Sequence, residues 1–317
     1  MKVFVSRGYP AEAVAVLKSE FDVDIHDSWI PLPKDELIQR AAGAEILITY
    51  TGDEADSEVM DALPSLKLII SYYGMGRNAV AQEEADKRGI AVAPLQNSYR
   101  WITTGVAELT CGLIISVGRR FVECRKFITD GRFTHSEQAN HLLLGEGLTG
   151  RRLGIFGAGR IGREVARKAA GFDMDLVYCD LSPNEEMESY GAKLVDKETL
   201  IQTSDYITIH IPNTIENAHF IGEAEFKMMK NTAIIINTAR GRIIDEQAMI
   251  KALHEKEIAG AGLEVYEHEP DVPIELWGMD NVMLVPHAGG SLRKERVNKF
   301  LQIVDICREY RDSAAKS

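Results

Sequence analysis

The stretch from Arg152 to Asp180 limits what this chain can fold into more than any other. Arg152-Leu-Gly-Ile-Phe156 is a short run with an apolar core, strand-like in composition, and it leads directly into Gly157-Ala-Gly159-Arg-Ile-Gly162. An amphipathic segment follows, with Ile161, Val165, Ala166 and Ala169 at helical spacing and Arg163, Arg167 and Lys168 off that face. Gly171 ends it, and a second apolar run from Met174 to Cys179 is closed by Asp180. The pattern predicts strand, glycine turn, helix, strand and acid, in that order.

Each part has a physical task. Gly157 permits a tight turn, Gly159 lets a pyrophosphate approach the backbone, and Gly162 lets the helix lie close to the strand. The helix N-terminus offers unpaired N–H groups and a partial positive charge to phosphates. Asp180 falls 18 residues after Gly162, at the tip of the second strand, where a carboxylate accepts hydrogen bonds from both ribose hydroxyls. It would repel a 2′-phosphate, so NAD is expected and NADP is disfavoured. Three glycines alone would fit an ordinary turn; the ordered set of strand, helix, second strand and acid selects the dinucleotide reading.

Before this unit, Val3–Val5, Val23–Ile25, Ile46–Thr49, Leu68–Ser71 and Ile90–Ala93 read as strands. Between them Ala11–Glu20, Lys34–Ala42, Ser57–Leu63 and Ala79–Lys87 read as helices. A longer helical pattern starts near Trp101, with Val106, Leu109, Thr110, Leu113 and Val117 in phase. Residues 119 to 149 are irregular, a connector, a plain surface loop or an arm over a partner. After the glycine unit, Ala192–Val195, Tyr206–Ile209, Ala233–Ile236, Ala259–Leu263 and Val282–Val285 read as strands, Asp245–His254 as a helix, and Leu292–Tyr310 as a closing amphipathic segment. Alternation of this kind predicts an α/β chain with two doubly wound parallel sheets. The closing helix is left over once the second sheet is complete, so a discontinuous first domain is expected, residues 1–99 with 287–317, around a nucleotide domain of residues 100–286. A ligand is expected between them at the carboxyl ends of the strands.

The 317 residues are 45% hydrophobic and 26% charged, enough for about two domains. A net charge of −12 argues against nucleic acid or an anionic membrane as partner, and no apolar run approaches the roughly 18 residues of a membrane span. Met1-Lys-Val-Phe-Val5 is too short for a signal peptide. Cys111, Cys124, Cys179 and Cys307 form no CxxC pair and stand beside no metal-ligand cluster, so structural or incidental thiols in a reducing cytoplasm and a metal-free site are expected.

Three polar residues stand just after apolar runs: Arg240 after Ile234-Ile-Ile-Asn-Thr-Ala239, Glu269 after Gly262-Leu-Glu-Val-Tyr266, and His287 after Val282-Met-Leu-Val-Pro286. Strand ends of a doubly wound sheet point toward the nucleotide, so cation, carboxylate and imidazole can converge on one small ligand. Singly, each has a plain reading as a turn cap, a solvated acid or a structural histidine. Together with Val106-Ala-Glu108, Leu153–Gly162, His210-Ile-Pro212, Asn237-Thr-Ala-Arg-Gly-Arg242, Gly262–Tyr266, Glu269-Pro270 and Pro286-His-Ala-Gly-Gly290, they make the chain resemble the D-isomer-specific 2-hydroxyacid dehydrogenases over nearly its whole length.

The resemblance implies a flavodoxin-like substrate domain built from both chain ends, a Rossmann domain between them, and a homodimer joined through the Val106–Val117 helix and the segment after it. It implies Arg240, Glu269 and His287 as the catalytic trio. In reduction of a 2-oxo acid, His287 would donate a proton, Glu269 would orient its ring, and Arg240 would polarise the carbonyl and bind the substrate carboxylate. Met75 and Gly76, in the Gly74-Met75-Gly76 turn, would bind that carboxylate through backbone N–H groups. Cofactor contacts would come from Thr104, Gly157, Gly159, Arg160, Ile161, Gly162, Asp180, His210, Pro212, Thr238, Arg240, Glu264, His287, Gly289 and Gly290. Glu264 departs from the aspartate usual there, as do Asn78 and Asn217 from an aspartate and a threonine.

A carboxylate at 269 argues against the formate dehydrogenase branch. No regulatory domain is expected after the closing helix, which weighs against the long phosphoglycerate dehydrogenases. Tyr50, Thr51, Tyr72, Tyr73, Tyr99, Arg100 and Trp101 make the loops aromatic with little positive charge, so a small or aromatic 2-oxo acid is expected rather than a phosphorylated one. Two rival readings are a nucleotide-sensing protein similar to the C-terminal binding protein corepressors, and a phosphite-oxidising relative.

Overall fold

Runs of β-branched and other apolar residues form the strands, and both faces of each sheet are covered. In the computed structural model, residues 1–50, 52–72, 79–95, 99–135 and 137–315 are described, without the side chains of 79, 94 and 99–101. The chain divides into two units, residues 1–99 with 291–317 and residues 100–290.

In the first unit the strands are β1 (Lys2–Val5), β2 (Asp22–Ile25), β3 (Ile46–Thr49), β4 (Glu54–Ala55), β5 (Leu68–Ser71), β6 (Ala79–Val80) and β7 (Ala91–Pro94). Five form a parallel sheet in the order β2-β1-β3-β5-β7, the doubly wound order of flavodoxin-like sheets. Val3, Val5, Ile46, Ile48, Leu68 and Ile70 feed one core, while Phe4, Leu47 and Ile69 feed the other. Such strands read as continuous apolar runs because neither face meets water. The helix Arg293–Ala314 buries Phe300, Ile303, Val304 and Cys307 in the first of these cores. At about 1.5–3 kcal/mol for each large apolar side chain, this burial holds the distant chain end in the first unit. Ala79 and Val80, expected to open a helix, pair instead with Glu54 and Ala55. Val80 is buried beside Val59 and Leu66, and the helix begins only at Gln82. Arg7 and Asp53 form an ion pair of 2.6 Å with side chains 1% and 0% exposed, and Asp53 also accepts the Tyr50 N–H at 2.7 Å.

In the second unit the strands are β8 (Arg152–Phe156), β9 (Asp175–Cys179), β10 (Lys193–Leu194), β11 (Tyr206–Ile209), β12 (Ile234–Asn237), β13 (Gly260–Leu263) and β14 (Val282–Leu284). They lie in the order β10-β9-β8-β11-β12-β13-β14, all parallel. This is the Rossmann order, reversing beside β8. Leu153, Ile155, Tyr206, Ile234 and Ile236 face one core; Phe156, Ile207, Ile209 and Ile235 face the other. The register sets Cys179, Phe156, Ile209, Asn237, Leu263 and Leu284 in one row. Whatever follows them emerges along one edge.

Residues 287–290, assigned from sequence to the first domain, belong to the second unit. His287 N–H donates to the Glu264 carbonyl at 2.9 Å, continuing the β13–β14 pairing past its last strand residue. The irregular stretch 119–149 contains the helices Phe121–Thr129 and Gln138–Leu142. Cys111 and Cys307 are buried, and burial pushes their thiols up to about 11 and about 12, so they pack as neutral groups. Among the described residues no single helix is long and apolar enough to cross a membrane.

Candidate active site

The edge below that row carries a connected set of polar groups, and its centre is a histidine–carboxylate pair. His287 Nδ1 and Glu269 Oε2 are 2.7 Å apart. A carboxylate accepts only, so Nδ1 carries the hydrogen and Nε2 is left to exchange a proton elsewhere. The other oxygen of Glu269 accepts the Tyr266 N–H at 3.1 Å, so the acid is pinned to its own loop. Tyr266 in turn donates its hydroxyl to the Val285 carbonyl at 3.1 Å, tying that loop to the end of β14. The ring of His287 is about half exposed, at 49%, which suits a group that must meet a ligand. Its backbone lies in the left-handed region, at φ +48°, a costly conformation for a non-glycine residue, kept here by N–H bonds to Glu264 and Val285.

Arg240 leaves the end of β12 through a turn held by Asn237. The buried Asn237 side chain accepts the Ala239 N–H at 3.0 Å and donates to the Arg240 carbonyl at 3.0 Å. Asn237 stands in the sequence motif beside Arg240, and an asparagine at a strand end that caps its own turn is the sequence signal of a positioning group. Arg240 Nη1 donates to the Ala239 carbonyl at 2.5 Å. Gly241 follows, and a Cβ there would lie 1.9 Å from the Tyr266 carbonyl carbon. Only glycine lets the arginine turn lie against the loop that carries Glu269.

Glu264 sits at the common focus. It is buried, and its pKa is raised by desolvation, while the Gly289 N–H and the charges of His287 and Arg240 oppose the rise and Glu269 adds to it. The three expected catalytic charges therefore all act on this carboxyl. Oε1 accepts the Gly289 N–H, and Oε2 is buried with no partner among the described residues.

At the other end of the edge, Gly157 adopts φ +98°, and a Cβ on it would meet the His210 carbonyl at 2.6 Å. A Cβ on Gly162 would fall 2.0 Å from the Gly157 carbonyl, so this glycine sets helix-to-turn packing. A Cβ on Gly159 would meet nothing within 4 Å; here glycine preserves open space beside the N-terminus of the helix Arg160–Ala170. Asp180 accepts N–H bonds from Ala158 at 2.5 Å and Leu181 at 2.6 Å, which fixes the acid against the glycine turn. His210 bonds Thr208 Oγ1 through Nε2 at 2.6 Å, while its Nδ1 is buried without a partner among the described residues. Burial pushes its pKa down to about 3, so the ring is neutral. Thr238 is buried with its hydroxyl 2.9 Å from that of Thr110. Open space at a helix N-terminus, an acid beside it, and two orphaned polar atoms along one sheet edge fit a dinucleotide laid across that edge.

The family model for the D-isomer specific 2-hydroxyacid dehydrogenase NAD binding domain matches residues 111–289. The chain is 40% identical over 298 residues to the glyoxylate reductase of Thermococcus litoralis, covering 93% of this chain and 89% of that one. The chain belongs to the D-isomer-specific 2-hydroxyacid dehydrogenase family. A second glyoxylate reductase, from Korarchaeum cryptofilum, is 37% identical over 93% of this chain and 88% of its own. Among solved structures, a D-isomer specific 2-hydroxyacid dehydrogenase from a Polaromonas species superposes with a TM-score of 0.85 at 29% identity, covering 98% and 97% of the two chains. The apo D-lactate dehydrogenase of Escherichia coli superposes at 0.78 with 27% identity, covering 98% and 97%.

This dehydrogenase is thus an oxidoreductase with an NAD-type cofactor. Of its expected site residues, His287, Glu269, Arg240, Glu264 and Gly289 are joined by hydrogen bonds or mutual charge effects. Gly157, Gly159, Arg160, Ile161, Gly162 and Asp180 gather at the glycine turn, with His210 and Pro212 at the end of β11 and Gly290 after Gly289. Thr104 lies part-way buried on the helix Tyr99–Gly118. Met75 and Gly76, with Thr51, Tyr73, Arg77 and Asn78, lie outside the described residues. Among the described residues, no group of three or more His, Cys, Asp or Glu side chains is placed to hold a metal ion.

Proposed function

We propose that this dehydrogenase reduces a small 2-oxo acid at the expense of NADH, glyoxylate foremost, to the 2-hydroxy acid (glycolate from glyoxylate, the D-isomer where the product is chiral), with His287 as the proton donor. The observation that carries the reading is the 2.7 Å bond between His287 Nδ1 and Glu269 Oε2. A bound reduced nicotinamide supplies the hydride to the carbonyl carbon. Negative charge then grows on the carbonyl oxygen, and His287 gives that oxygen the proton held on Nε2. Glu269 stabilises the positive ring before transfer and fixes its direction throughout. In the reverse direction the neutral Nε2 takes the hydroxyl proton. Arg240 offers a planar pair of donors to the substrate carboxylate and polarises the carbonyl. Met75 and Gly76 are the further residues proposed for that carboxylate.

Asp180 supports NADH over NADPH. Its carboxylate is fixed beside the glycine turn, where it would accept ribose hydroxyls and oppose a 2′-phosphate. The glyoxylate reductase relatives support a short substrate. A homodimer is proposed as well, on the exposed Phe121 and Ile128 of one helix and Phe133, Leu142 and Leu144 after it, an apolar run of the kind a second copy covers. The four free thiols suit a reducing cytoplasm.

Glyoxylate, hydroxypyruvate, pyruvate, phenylpyruvate and 3-phosphohydroxypyruvate, each with NADH and with NADPH, test the proposal. Turnover is expected with NADH and the short acids. A clear preference for the phosphorylated compound, or for NADPH, would defeat it.

A further inference from the structure

We propose that Glu264 is a positioning residue for the acid–base imidazole: it clasps the turn from His287 to Gly289 at both ends and so fixes where the ring is presented. This rests on His287 being the proton donor. The Glu264 carbonyl accepts the His287 N–H at 2.9 Å. The side chain of the same residue folds round to accept the Gly289 N–H on Oε1. One residue thus holds both ends of a three-residue turn.

The clasp answers a specific need. His287 lies at φ +48°, a costly conformation for a non-glycine residue that persists only where the surroundings over-determine it. Glu264 can supply that constraint because it is itself fixed. Its N–H donates to the Asn237 carbonyl at 3.0 Å, directly after β13, and the residue as a whole is only 2% exposed. Gly289 is the matching half. A Cβ there would stand 2.6 Å from Glu264 Oε1, so a larger residue would push the carboxyl off the N–H.

Length, more than charge, makes the clasp. A carboxylate one methylene shorter would stop about 1.5 Å short, a single C–C bond. A carboxylate, a carboxylic acid and an amide all keep one oxygen that accepts an N–H. Glu264→Gln therefore preserves the clasp, and Glu264→Asp opens it while keeping the charge. A side chain serving only through its charge would show the opposite order.

The test is kcat with glyoxylate at saturating NADH, together with the NADH Kd from binding fluorescence without glyoxylate, on the full chain. At saturating NADH, Glu264→Asp is expected to lose about tenfold to a hundredfold more kcat than Glu264→Gln, a difference that an effect on NADH affinity alone would not produce. Gly289→Ala attacks the same bond without touching residue 264 and should lose kcat as Glu264→Asp does, so misfolding of one variant leaves the other decisive. Wild-type kcat in Glu264→Asp, an equally deep loss in Glu264→Gln, or a loss confined to NADH affinity would each overturn the clasp. His287→Ala in the same assay separates the two readings. If it still turns over, the proton-donor assignment fails; if it is inactive while Glu264→Asp is normal, the clasp alone fails.

Discussion

Gly241→Ala is the sharpest test of how the site is assembled, because the space it needs is already filled by backbone. A Cβ at 241 would lie 1.9 Å from the Tyr266 carbonyl carbon, 2.0 Å from its oxygen and 2.4 Å from the Glu267 nitrogen. Ordinary contact begins near 3.4 Å, so the turn and the loop must part by about 1.5 Å (3.4 − 1.9). Neither partner is the end of a flexible side chain, so the strain cannot be relieved by a rotamer change. The turn carries Arg240 and the loop carries Glu269, so the guanidinium moves away from the acid that holds His287. Overpacking of this kind costs about 1–3 kcal/mol of stability. A misplacement of about 1 Å in a reacting constellation costs about a hundredfold in rate, or about 2.7 kcal/mol of barrier. NADH absorbance during glyoxylate reduction reads the second effect and urea unfolding the first. Gly159→Ala is the control for the unfolding measurement alone, since its Cβ would meet no protein atom within 4 Å. A Gly241→Ala protein whose kcat/KM stays within about threefold of wild type would refute the claim that this contact sets the catalytic geometry.

Gly159→Ala itself should unfold like the wild type yet bind NADH at least about tenfold more weakly, as read by fluorescence, because the open space it fills is where a pyrophosphate approaches the backbone. Asp53→Asn should lower stability by about 3–5 kcal/mol in urea unfolding, because it removes the carboxylate charge from the buried ion pair with Arg7; a loss below about 1 kcal/mol would show that the pair is dispensable. His210 titrates at about 3 in the folded chain, against about 6.5 when unfolded. The unfolded state therefore binds the extra proton between those values, and the stability owed to the neutral ring is complete above about pH 6.5 and falls as the pH drops, by up to about 1.4 kcal/mol per unit. His210→Asn should flatten the unfolding midpoint against pH between about 6.5 and 5, and an unchanged slope would contradict this burial argument.

The strands and their parallel, doubly wound arrangement were legible because parallel strands buried on both faces read as apolar runs, as Ile234-Ile-Ile and Leu68-Ile-Ile do. The glycine turn was legible because each glycine answers a separate steric demand, and a Cβ would collide at Gly157 and Gly162. Helices with weak periodicity were not. Phe121–Thr129 leaves Phe121 and Ile128 exposed, so its apolar residues do not mark a single buried stripe. The short helices Glu185–Ser189 and Lys197–Thr203 carry their signal in the caps: Asn184 accepts the Met187 N–H and Asp196 the Thr199 N–H. Ala79 and Val80 were assigned to a helix by composition, and pairing with a segment 25 residues earlier overrode it. The first-domain boundary was drawn at His287 because no sequence pattern shows that Glu264 holds residues 287 and 289. The extra methylene of Glu264 was visible; what it reaches was not.

Glyoxylate reduction by His287→Ala, followed at saturating NADH beside direct NADH binding, tests the central claim most directly. A loss of kcat of about a hundredfold to ten-thousandfold is expected, with the NADH Kd within about threefold of wild type. Near-normal turnover in that variant would show that the imidazole beside Glu269 does not carry the proton.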